Sequence, residues 1–166
     1  MNRLPFFTDF LREVENLLQI PQVQKMRLYI QHGDTDCLLH CLCVSYLCYR
    51  ICRFLHLHAG EMARAALLHD LFLYDWHAPG HPRWHGFRHP GRALYEAERI
   101  TSLTKREISI IKRHMWPLTL IPPRYVESYV IILVDKYCSL RETFRRPGQS
   151  AQLLRTWDPI RKTDGS

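Results

Sequence analysis

Several features that would each mark a class of protein are missing from this sequence. Its six cysteines include no C-x-x-C pair, which removes the usual spacing of a zinc knuckle or a dithiol redox motif. There is no run of five or more lysines and arginines, so the formal charge of +7 is spread out and not gathered into a nucleic-acid-binding tail. No stretch approaches the roughly 20 uncharged residues that a membrane span needs. The opening "MNRLPFFTDFLREVENLL" carries acids and reads as an amphipathic helix, not a secretory signal. Alternating strand patterns, internal repeats and a second domain are also absent. These absences lead us to expect one cytoplasmic domain over residues 1–166, all-α in class, with no membrane partner and no strong nucleic-acid signal.

What is there fits that expectation. Of 166 residues, 46% are hydrophobic and 23% charged, an ordinary globular balance with enough apolar mass for one substantial core. The positive balance favours small anionic partners, phosphorylated metabolites or nucleotides above all. Cys37, Cys41, Cys48 and Cys52 share roughly one helical face, where disulfides among them are awkward. They read as buried free thiols of a reduced compartment.

Helical periodicity runs through the chain. It predicts helices over about Phe6–Leu18, Gln22–Ile30, Cys37–Leu57 and Glu61–Tyr74, with Thr35 or Asp36 as the cap of the third. Asp75–Gly91 holds three prolines and three glycines and reads as a loop, with Pro90 opening a helix that reaches about Ile100. "TKRE" from Thr104 is a capping box for a helix ending near Met115, before Pro117. A last long helix should cover about Arg124–Thr143, and Leu153, Leu154 and Trp157 in the tail after Arg146 are candidates to pack back onto it.

Ionisable residues on the apolar faces carry the chemistry. "ALLHDLFLYD" places His69 and Asp70 among leucines and phenylalanine. His40 shares a stripe with Val44, Leu47 and Ile51; His114 follows Ile110 and Ile111 by one turn; Asp135 follows Ile131 and Ile132. Three histidines and two carboxylates thus point inward from four helices. A buried carboxylate is costly without a partner, and one divalent cation bound by imidazoles and carboxylates would satisfy the whole set. Such ligands suit iron or manganese best, with zinc, cobalt, nickel or magnesium as further options. His77, His81, His85 and His89 recur every fourth residue in the expected loop. His89, beside the Pro90 helix start, is the best further ligand, with His85 in reserve.

The ordered set His40, His69–Asp70, His89, His114 and Asp135 resembles the HD-domain superfamily of metal-dependent phosphohydrolases. The match covers about Asp36 to Leu140, and "AALLHD" and "VDKYCS" look like the family's second and last ligand helices. Within that family the chain resembles the bacterial two-metal subset. The resemblance implies a first ion on His40, His69, Asp70 and Asp135, and a second on Asp70, His89 and His114, bridged by Asp70. It further implies hydrolysis of a phosphate ester or anhydride by a metal-activated hydroxide, with Lys136 and Arg92 expected to steady the phosphate. Arg83, Arg88, Lys112, Arg113 and Arg124 are alternatives for that role, and Trp76, Trp84 and Phe87 could form one wall of the pocket. Two other readings use the same ligands: a di-iron oxygenase, or a non-catalytic nucleotide-sensing module.

Overall fold

Small side chains recur once per turn along the helix that opens at Cys37: Cys37, Cys41, Ser45, Cys48 and Cys52, each almost fully buried. The helix facing them offers Ala59, Ala63 and Ala66, also buried. Small residues on both sides let two helix backbones approach closely, and Ser45 Oγ reaches the Ala63 carbonyl at 2.6 Å. The cysteines are therefore free thiols of a tight helix seam, as expected. This seam sets the site described below, because it brings the His40 and His69 rings to a centroid separation of 5.5 Å.

The computed structural model describes residues 6–75 and 85–144. In chain order the elements are α1 (Phe7–Leu18), α2 (Pro21–Gln24), a 3₁₀ turn (Lys25–Leu28), β1 (Ile30–His32), β2 (Thr35–Asp36), α3 (Cys37–Phe54), α4 (Ala59–Leu68), α5 (His85–Ile100), α6 (Lys105–Arg113) and α7 (Val126–Thr143). The fold is predominantly helical, as the sequence predicts. α3 packs most extensively on α4 and next on α7; α6 bridges α4, α5 and α7. By length and composition α3 could cross a membrane, yet 67% of it is buried within the protein as the central helix.

Helix α1 completes the bundle. Its face Phe10, Val14, Leu17 and Leu18 is buried, and Phe10 meets Tyr46 and Tyr49 at centroid distances of 5.3 and 5.7 Å. Full burial of one such side chain contributes about 1.5–3 kcal/mol. At the opposite end of α4, Arg64 bonds Glu107 at 2.7 Å, and Arg106 pairs with Glu61 and lies 3.3 Å from Glu127. That network ties the starts of α4, α6 and α7 together.

Three expectations are corrected. The predicted helix over Gln22–Ile30 is one turn of α2 and a 3₁₀ turn, followed by a two-stranded antiparallel hairpin, β1–β2. Gly33 in the left-handed region (φ +58°) turns that hairpin. The helix predicted to reach Tyr74 stops at Leu68, because the His69 ring takes the Ala66 carbonyl and the chain then turns through Leu73 at φ +54°. Helix α5 starts at His85 and not at Pro90, so the expected loop is shorter and Pro90 lies inside the helix. As the sixth residue of α5, Pro90 cannot donate to the Gly86 carbonyl and its ring crowds that oxygen, a local cost of about 3 kcal/mol. The caps at Asp36 and Thr104 are as expected, the latter as a full capping box.

Trp76, His77, His81, Arg83, Trp84 and the tail after Arg146 lie outside the described residues, as does the side chain of His85.

Candidate metal centre

Two helices end on a histidine in the same way. His69 is the C-cap of α4 and His114 the C-cap of α6. The last carbonyls of a helix have no intrahelical donor. Each histidine uses one of them: His69 Nδ1 lies 2.7 Å from the Ala66 carbonyl and His114 Nδ1 2.8 Å from that of Ile111. A carbonyl can only accept, so both Nδ1 atoms donate, and both Nε2 atoms are left with a bare lone pair in the neutral ring. The third inward histidine, His40, is fixed by a carboxylate: its Nδ1 lies 2.8 Å from Glu142 Oε2.

All three Nε2 atoms converge on carboxylates. His40 Nε2 is 3.1 Å from Asp135 Oδ1, and His69 Nε2 is 3.6 Å from the same oxygen. Asp70 divides its two oxygens. Oδ2 faces His69 at 3.4 Å and His40 at 3.9 Å; Oδ1 faces His89 at 3.2 Å and His114 at 3.5 Å. His89 Nε2 and His114 Nε2 are only 2.8 Å apart. Gln31 on the hairpin donates from Nε2 to Asp70 Oδ2 at 2.5 Å.

This arrangement has a specific electrostatic defect. His69 Nε2 is buried without a hydrogen-bond partner, and the neutral rings aim lone pairs at carboxylate oxygens and at each other. A positive charge at the convergence point removes the defect. Burial works against protonating His40 and His69, yet Asp135 and Glu142 for His40, and Asp70 and Asp135 for His69, outweigh it and hold both imidazoles above their usual value. Burial and the neighbouring His89 and His69 push His114 down to about 3, so that ring is neutral. Asp70 and Asp135 stay ionised despite burial because histidines surround them.

The donor set fits a metal ion. His40, His69 and Asp135 form one group able to hold a cation, and Asp70, His89 and His114 a second. Cys41, His69 and Asp70 form a third. In that group the Cys41 thiol faces His69 Nδ1, at 3.7 Å, and this nitrogen is already committed to Ala66. Burial, with Cys37 and Asp70 nearby, also keeps the thiol protonated. We assign ligand chemistry to the first two groups.

All six residues expected as ligands, His40, His69, Asp70, His89, His114 and Asp135, are brought together. Beside them lies a cavity of about 460 Å³, lined by Asp70, His89 and Asp135 together with Gln31, His32, Gly86, Met115, Lys136, Ser139 and Leu140. Lys136 is thus at the site, on the exposed side. Arg92 is placed differently: its guanidinium lies 2.7 Å from Glu96 and over the Tyr95 ring, and it does not line the cavity. Three contributors were not anticipated. Gln31 and His32 come from a hairpin with no periodic signal. Glu142 follows Asp135 by two helical turns, a spacing that would have placed it on the ligand face.

No family model matches this chain, and comparison with curated proteins and with solved structures returns no match.

Proposed function

We propose that this protein is a metal-dependent phosphohydrolase of the HD-domain type, acting on a small anionic phosphorylated substrate, a nucleotide or a phosphorylated metabolite. The observation that carries the reading is the division of the Asp70 carboxylate between two groups of imidazoles, which suits a ligand bridging two divalent cations. His40, His69, Asp70 and Asp135 would hold one ion, and Asp70, His89 and His114 the other. When bound, paired cations lower the pKa of water and neutralise the oxygens of a phosphoryl group.

The chain's own residues prepare that site. Carbonyls of α4 and α6 lock the His69 and His114 tautomers, so these rings need no reorganisation to bind. Gln31 holds Asp70 Oδ2 and restricts rotation of the carboxylate. Lys136 offers the cavity a mobile ammonium suited to a phosphate. Arg92 would first have to release Glu96. The cavity's volume is within the usual range for small-molecule sites.

Elemental analysis of protein purified without added metal or chelator tests the reading, beside a His89→Ala, His114→Ala double variant and an assay of phosphate release from nucleotides and simple phosphate esters. About two transition-metal ions per chain, fewer in the variant, with metal-dependent phosphate release, is the expected result. No metal bound, and none taken up on reconstitution, would sink it. Iron with oxygen-dependent turnover and no phosphate release would replace it with the oxygenase reading.

A further inference from the structure

Helix α7 grips one imidazole from both sides. Asp135 faces Nε2 of His40 at 3.1 Å, and Glu142, two turns further on, faces Nδ1 at 2.8 Å. Glu142 is 5% exposed and stands in the last turn of α7. An acid at that position opposes the helix dipole, and burying it costs more. The helix gains nothing from it, whereas the His40 ring gains a charged acceptor.

The other fixed imidazoles are held differently. His69 and His114 lean on neutral carbonyls, whereas His40 leans on a carboxylate. A carboxylate behind a metal-binding imidazole strengthens it as a donor, and a charge-assisted bond is roughly twice as strong as a neutral one. The two halves of the cluster differ in charge as well. The His40 half has Asp135 at 3.1 Å, one oxygen of Asp70 and Glu142 behind; among the described residues, the His89 and His114 half has the other Asp70 oxygen, at 3.2 and 3.5 Å, as its nearest carboxylate. In a buried, low-dielectric setting such differences are weakly screened.

We propose that Glu142 is a positioning residue that makes the two halves unequal, so that the His40, His69 and Asp135 half takes its ion first and more tightly, and the Asp70, His89 and His114 half loads second and exchanges readily. This rests on the two-ion reading above.

The test is equilibrium binding of Mn²⁺ to metal-stripped protein, read by competition with a chromophoric chelator and not by turnover. The parent is expected to show two unequal steps, and the His89→Ala, His114→Ala variant to lose the weaker one. Glu142→Gln keeps an acceptor for Nδ1 and removes the charge. It is expected to weaken the tighter step by about 10–100-fold, leaving the weaker step in place. Glu142→Leu removes the acceptor too and should weaken that step further; if it does not fold, Glu142→Gln still carries the test. Circular dichroism of the stripped Glu142→Gln protein should match the parent. Unchanged binding in Glu142→Gln, or loss confined to the weaker step, overturns the inference. A parent that binds one ion only would refute the two-ion reading and the inequality that rests on it, while weakening of that single step by Glu142→Gln would still show the residue positioning His40. A parent that binds none refutes both.

Discussion

A methyl group added at Gly33 would stand 2.8 Å from the carbonyl oxygen of Glu142. The hairpin turn and the last turn of α7 are therefore in backbone-to-backbone contact, at the point where Gln31 and His32 enter the cavity. Gly33→Ala meets a rigid obstacle and a left-handed φ together. The φ alone costs about 1–2 kcal/mol. Urea unfolding should show a loss of at least that size, accompanied by weaker metal retention; an unchanged midpoint would mean that the contact is looser than described.

Asp70→Asn preserves size and removes the charge shared by both groups of imidazoles. Metal content should fall in both halves of the cluster, unlike the loss from one half expected for the double histidine variant. Equal metal content in parent and variant would show that Asp70 is not a bridging ligand.

Metal removal should lower the thermal midpoint, since an ion that binds only the folded chain stabilises it by mass action. At a free concentration about a hundredfold above Kd the gain is about 2.7 kcal/mol. Calorimetry of stripped protein with and without Mn²⁺ checks this, and coincident transitions would argue against a formed site.

Acid should loosen the network far from the cluster. Glu127 is buried; burial opposes its ionisation, but the His58 backbone and ring and the Arg106 guanidinium outweigh this and hold its carboxyl below the usual value of 4.5. A depressed carboxylate stabilises the fold fully above its unfolded value. The contribution then disappears as pH falls through the folded one. Stability should thus decline below about pH 4.5 in the parent, and Glu127→Gln should be less stable at neutral pH with a flatter acid limb. Parallel acid profiles would remove Glu127 from the account.

Most of the helices could be read from the sequence because they obey the helical period; of the six candidate ligands, His69 and Asp70 stand out by their apolar surroundings and His89 by its place beside Pro90. His40, His114 and Asp135 announce themselves by sharing a stripe with aliphatic residues. What could not be read lies where that period stops. Gln31 and His32 sit on three residues of strand, too few to show alternation, and only tertiary contact turns them toward Asp70. The helix end at Leu68 is obscured in the sequence because apolar residues continue through Leu73, while the break is caused by a side chain, the His69 ring, taking a helix carbonyl. Pro90 points in the opposite direction: it suits a first turn, but α5 begins five residues earlier and carries the proline in its interior.

Because His69 and His114 are aimed by the ends of their own helices, the number of residues in α4 and α6 acts as an angular setting. A residue inserted or deleted between the buried face of either helix and its terminal histidine would swing the ring by about 100° around the axis. Substitutions within these helices can be absorbed by repacking, but changes in length cannot. Among descendants of this sequence, α4 and α6 should vary freely in composition outside the seam and hardly at all in residue count, with insertions confined to the connections before each helix begins.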